Sequence, residues 1–215
     1  MKIAANLDVL FGDRPLPERV LAARLVGFDG VELRHPLSVA TISLAQALER
    51  AALPLARLAV DVAVDGFESA LQRALTDSAM LRPQQISVEV EALSAATAEA
   101  QLRRAAEAFA LLGIGVLCRD DSAQPSGFAG LLALVEQVDH PNCRVQLDLS
   151  GEPEDRAAIE LLSGCIGYLQ LCRLPTGEKG TALLDALRSA DYQGWLGLGY
   201  RGAEALLASG SHRPA

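Results

Sequence analysis

Cys143-Arg144-Val145-Gln146-Leu147-Asp148-Leu149 alternates polar and apolar side chains from Arg144 to its end. Successive side chains of a strand point to opposite faces, so Val145, Leu147 and Leu149 share one face and Arg144, Gln146 and Asp148 the other. If the aliphatic face packs on helices, the second face looks inward. Asp148 then stands near the strand's C-terminal end.

Working outward, β-rich runs recur at Ile3 to Asp8, Gly30 to Arg34, Ala56 to Ala63, Gln85 to Glu91, Gly115 to Arg119, Gly167 to Cys172 and Trp195 to Tyr200. With Arg144 to Leu149 they make eight, and helical runs fill the intervals, the last at Ala203 to Ala208. Strict strand-helix alternation is the pattern of a parallel α/β architecture, and eight strands close a barrel. The expected fold class is α/β, a compact (β/α)8 TIM barrel. Residues 1–208 form a single domain and 209–215 a flexible polar tail. At 215 residues the chain falls short of the about 250 typical of this fold, so its loops must be lean.

Local signals agree with that layout. Ser43 and Thr97 are expected to cap helices, and Pro17 and Pro153 suit first helical turns. Gly27, Gly113 and Gly164 follow helical runs, where a left-handed residue is favoured. Leu102, Ala105, Ala106, Phe109 and Leu112 fall at helical spacing and predict an apolar stripe against the sheet.

Composition narrows the function. The net charge is −8, and Arg103-Arg104 is the one basic pair of note, which argues against nucleic acid and against an anionic membrane surface. Asn6 and Asp8 interrupt the apolar run from Lys2 to Phe11, spoiling it as a signal-peptide core, and no stretch approaches the ~20 apolar residues of a membrane span. A cytoplasmic protein is expected. Cys118, Cys143, Cys165 and Cys172 show neither C-x-x-C nor zinc-finger spacing, so they are read as reduced, buried thiols.

Barrel active sites form at the C-terminal ends of the strands. The parity that turns Gln146 and Asp148 inward also selects Asn6, Asp8, Glu32, Arg34, Asp61, Glu89, Glu91, Arg119 and Gln170, with Arg201 just past the last strand. Gly197 and Gly199 would leave an opening on the eighth strand. This set is more polar than a packed barrel centre needs.

The same positions carry a resemblance. A-A-N-L (4–7), G-F-D-G-V-E-L (27–33), G-I-G-V-L (113–117), H-P-N-C-R-V-Q-L-D-L (140–149), Y-L-Q-L (168–171) and G-W-L-G-L-G-Y-R (194–201) together resemble the xylose isomerase-like TIM barrels, most closely hydroxypyruvate isomerase. The resemblance implies a divalent metal held by late-strand carboxylates and an amide or imidazole, with two glutamates also moving a proton between adjacent carbons. Carried over by position, the metal ligands match Asp148 and Gln170. The two glutamates fall instead on Arg119 and Gly199, and a fourth-strand histidine falls on Ser87.

A guanidinium has no acceptor atom, so Arg119 cannot coordinate a cation or serve as an ordinary base. Two expectations follow. In the first the barrel lacks isomerase activity and any cofactor, and it is a non-catalytic or small-anion-binding homologue. Asn6, Arg34, Arg119, Gln170 and Arg201 would contact a small anionic metabolite. In the second, Glu89 and Glu91 rebuild a catalytic site with Asp148 and Gln170 around Mg or Mn, acting on a small 2-ketoacid or ketose. The resemblance also allows a homo-oligomer.

Overall fold

The computed structural model describes residues 1–200 except 36, 63–65, 91–92, 94–95, 121–124, 174 and 176. Glu91, Arg201, the expected helix at 203–208 and the tail lie outside the described residues.

Eight parallel strands close a barrel in sequence order: β1 Lys2–Asn6, β2 Gly30–His35, β3 Leu55–Val60, β4 Gln85–Glu89, β5 Gly115–Arg119, β6 Cys143–Leu149, β7 Ile166–Leu171 and β8 Trp195–Leu198. β1 pairs with both β2 and β8, which removes the sheet edges. Among the described residues seven helices cover the outside: α1 Leu16–Val26, α2 Thr41–Ala51, α3 Phe67–Leu81, α4 Ala98–Ala110, α5 Pro125–Val138, α6 Glu154–Leu162 and α7 Glu178–Ser189. The expected TIM barrel is the fold observed. Among the described residues no helix is long and apolar enough to cross a membrane.

The main core lies between barrel and helices. Val145, Leu147 and Leu149 of β6 are buried there with Leu102, Ala105, Ala106 and Phe109 of α4, as the periodicities require, whereas Leu112, expected in the same stripe, lies past the end of α4 and is exposed. Inside the barrel, Ala4, Ala56, Leu117, Tyr168 and Trp195 make a small separate apolar cluster. Register shifts at Val31/Glu32 and at Val145/Gln146 let Glu32 pair with Arg57 and Gln146 with Tyr168. These irregularities set which polar groups meet above that cluster.

Several local expectations are corrected. β1 stops at Asn6, because the Asn6 side-chain oxygen accepts the N–H of Asp8 at 3.0 Å and turns the chain. Asp8 therefore lies beyond β1, and β3 and β8 likewise end at Val60 and Leu198, short of Asp61 and Tyr200. α2 begins at Thr41 with Ala40 as its N-cap, leaving Ser43 inside the first turn, and Thr97 occupies a cap position without a side-chain cap bond. Pro153 is likewise the residue just before α6. Gly27 and Gly113 are left-handed as expected, at φ 102° and 70°, whereas Gly164 is not among the left-handed glycines. There the turn closes through the Cys165 N–H on the Leu162 carbonyl at 2.8 Å.

Candidate functional site

β2, β3, β4, β6 and β7 each send one polar side chain to a common point inside the barrel. The guanidinium of Arg57 occupies it. Its Nε donates to Glu32 Oε2 at 3.0 Å, Nη1 to Ser87 Oγ at 2.9 Å and to Gln146 Oε1 at 3.2 Å, and Nη2 to Gln170 Oε1 at 3.1 Å. Below it lies the ring of Tyr168, 5.4 Å from the guanidinium carbon, with its O–H donating to Glu32 Oε2 at 2.6 Å. Desolvation works against the arginine's charge, but Glu32, Tyr168 and Asp148 hold its pKa above the ordinary value. Burial, and then the Glu32 carboxylate, pushes the Tyr168 phenol well up. Arg57 is a fixed internal cation and Tyr168 a protonated donor.

Nearer the mouth sits a second pair. Arg119 Nε donates to Asp148 Oδ2 at 2.9 Å, and the two side chains are only 15% and 11% exposed. Gln146 Nε2 donates to the other carboxylate oxygen, Oδ1, at 2.7 Å. Gln146 thus joins the two clusters, accepting from Arg57 and donating to Asp148.

Above these groups opens a cavity of about 190 Å³, whose lining includes Asn6, Arg34, Arg57, Arg119, Asp148 and Gln170, with Gly199 and Cys172 at its edge. All the described residues expected to contact a ligand are therefore brought together. Arg34 also lies 3.8 Å from Asp61, and Asp8 stands on the rim with its carboxyl raised by desolvation, against a backbone N–H of Arg34 that lowers it. Glu89 ends β4 in register with Arg119 but is not part of the lining. Among the described residues, no cluster of three or more histidine, cysteine or acidic side chains is arranged to hold a metal.

Gly197 and Gly199 do not leave an opening. A Cβ at Gly197 would stand 2.6 Å from Glu32 Oε2 and 2.9 Å from Gln170 Oε1, and one at Gly199 would stand 2.7 Å from Gln170 Nε2. The space given up by β8 is filled by its neighbours' polar ends. Two buried atoms in this layer have no hydrogen-bond partner among the described residues: Glu32 Oε1 and Gln170 Nε2.

Arg57 and Tyr168 escaped the sequence reading. Both share the parity of expected residues, Asp61 just past the third strand and Gln170 on the seventh, so the same alternation carried four and two residues back, respectively, selects them. The cysteines also need revision, since Cys118 and Cys143 are buried but Cys172 is exposed. Desolvation at the cavity wall, and then Asp148, push the Cys172 thiol up to about 11, which leaves it a poor nucleophile at neutral pH.

No family model and no curated protein matches the chain. Solved structures do. An AP endonuclease, family 2, from Brucella melitensis is 25% identical and superposes with a TM-score of 0.81, covering 99% of each chain. A xylose isomerase-like TIM barrel protein from Mycobacterium smegmatis, described in complex with magnesium, is 15% identical at a TM-score of 0.70, over 97% of this chain and 93% of that one. A sugar phosphate isomerase/epimerase from Parabacteroides distasonis is 12% identical at 0.72, over 98% and 93%. The structural neighbours are xylose isomerase-like TIM barrels.

Proposed function

We propose that this barrel is a hydroxypyruvate isomerase-like homologue that binds a small organic anion at its C-terminal mouth and does not run the metal-dependent isomerisation of that ancestry. The observation that carries this reading is the Arg119-Asp148 pair at 2.9 Å.

The side chains present do not fit a divalent ion. Both oxygens of Asp148 accept hydrogen bonds, one of them from a guanidinium, and the side-chain oxygen of Gln170 accepts from another. A dication placed among these groups would meet two fixed positive charges at close range, and the Coulomb cost rises as solvent is excluded. The same two arginines favour an anion. Gly199 supplies no side-chain ligand.

The magnesium in the Mycobacterium smegmatis structure and the isomerase description of the Parabacteroides protein are therefore not carried over. Nor is the endonuclease description of the Brucella structure, because a chain of net charge −8 and pI about 4.9 lacks the basic surface that phosphate backbones require. The alternative of a site rebuilt on Glu89 and Glu91 would need Glu89 to enter a cavity it does not line, and Glu91 lies outside the described residues.

Titration with Mg²⁺ and Mn²⁺, beside isomerase assays on small 2-ketoacids and ketoses with and without those ions, tests the proposal. Weak, non-saturating metal binding and no ion-dependent turnover are expected. Arg119→Glu, which replaces a cation by a ligand next to Asp148, is expected to raise Mn²⁺ affinity. Tight metal binding or ion-dependent turnover by the unaltered protein would overturn it.

A further inference from the structure

The hydrogen-bonding capacity around the cavity floor is unevenly spent. Most of its acceptors are engaged: Asp148 Oδ1 and Oδ2, Gln146 Oε1 and Gln170 Oε1 each take an N–H, and Asn6 Oδ1 takes the backbone N–H of Asp8, while Glu32 Oε1, deeper in the layer and outside the cavity lining, has no partner among the described residues. The donors are in surplus. An arginine carries five N–H bonds, and Arg57 spends four on Glu32, Ser87, Gln146 and Gln170 and also interacts with the Tyr168 hydroxyl, so it is a satisfied cation beside the Gln170 amide. Gln170 Nε2 is buried with no partner among the described residues. Asn6 Nδ2 makes no hydrogen bond to a described residue and faces the same spot, lying 3.6 Å from a Cβ built at Gly199, where Gln170 Nε2 lies at 2.7 Å.

The Gln170 amide cannot relieve its deficit by rotating. Exchanging its oxygen and nitrogen would point an NH₂ at the Arg57 guanidinium, donor against donor. Leaving a buried amide N–H without an acceptor is unfavourable, so Gln170 Nε2 favours whatever supplies one. Gly199 is what permits the arrangement, since a side chain there would displace the amide.

Resting on the anion-binding reading of this mouth, we propose that Gln170 Nε2 and Asn6 Nδ2, beside the fixed positive charge of Arg57, form a subsite for the carboxylate of a short monocarboxylic acid. Carboxamide N–H groups are planar donors, and a planar carboxylate presents its lone pairs to match. A phosphate dianion fits less well, because Asp8 and Asp148 share the cavity and neither of the two lysines, Lys2 and Lys179, lines it. The cavity, of about 190 Å³ and open at the mouth, admits a small acid.

The test is calorimetric titration of the full chain, in buffer containing a chelator, with propionate, lactate and inorganic phosphate. Saturable binding of a monocarboxylate, tighter than that of phosphate, is expected. Gln170→Glu keeps an acceptor for Arg57 but turns the orphan donor into an acceptor. It should fold and should weaken the monocarboxylate by about tenfold or more, the equivalent of one charged hydrogen bond. Asn6→Asp, which keeps Oδ1 for the Asp8 N–H, should weaken it in the same direction. Unchanged affinity in both variants overturns the subsite. Phosphate binding tighter than both acids overturns the carboxylate assignment while leaving the broader anion reading intact. Binding of none of the three overturns both.

Discussion

Arg57 Nε and Glu32 Oε2 form an ion pair at 3.0 Å inside the barrel, with side-chain exposures of 6% and 0%. Removing two charges from water is expensive, and such a pair holds only when further hydrogen bonds satisfy what remains of each group. Arg57 meets that condition through Ser87, Gln146 and Gln170. Glu32 meets it in part, through Tyr168, with Oε1 unsatisfied.

Arg57→Ala is therefore expected to destabilise the fold by about 3–5 kcal/mol, because it strands a buried carboxylate. Adding Glu32→Gln to that variant should recover part of the loss by removing the stranded charge. Urea unfolding of the two single variants and the double variant measures the coupling. Additive effects would show that the pair does not act as a unit.

Tyr168 links the same layer to alkaline pH. Its phenol is raised well above the ordinary value of 10.0, chiefly by burial and next by Glu32. A protonated phenol is the neutral form, so the unfolded chain ionises first. The corresponding stability is fully present below pH 10 and is lost as pH rises above it. Tyr168→Phe should cost about 1.5–3 kcal/mol near neutrality, from the lost bond to Glu32, and should flatten the alkaline decline. The raised phenol of Tyr192 would keep some slope. Urea midpoints measured from pH 7 to 11 check both statements.

Two glycines should respond to alanine with opposite signs. At Gly197 a Cβ would stand within 2.9 Å of both Glu32 and Gln170 oxygens, so Gly197→Ala should cost about 1–3 kcal/mol through overpacking. Gly130 lies within α5 and a Cβ there meets nothing within 4 Å. Gly130→Ala should stabilise by about 0.5–1 kcal/mol, since glycine loses more chain freedom on entering a helix. Thermal midpoints of the two variants decide it.

Much of the site was legible in the alternation of single strands. The polar face of Arg144 to Leu149 placed Gln146 and Asp148 inward, and Arg119 lies beside Asp148. Arg57 was harder to read because Leu55–Val60 is buried along its whole length, which resembles a plain core strand. A lone arginine within such a strand is itself the signal, since a charge buried there requires an acidic partner elsewhere. Asp8 and Tyr200 continued the alternation past the point where the strands end, because parity carries no information about where a ladder stops.

Sequence alone determined the eight-strand order, the closed parallel architecture, the apolar faces turned to the helices, and the presence of arginine and glycine where the family resemblance expects glutamates. These follow from local periodicity and from residue identity. Only the tertiary structure decided which cation sits at the centre, what fills the space beside Gly197 and Gly199, and which donors remain unspent above Gln170. Those depend on register shifts within the β2–β3 and β6–β7 pairs, and hydrogen bonds spanning 25 to 113 residues cannot be assigned from any one segment.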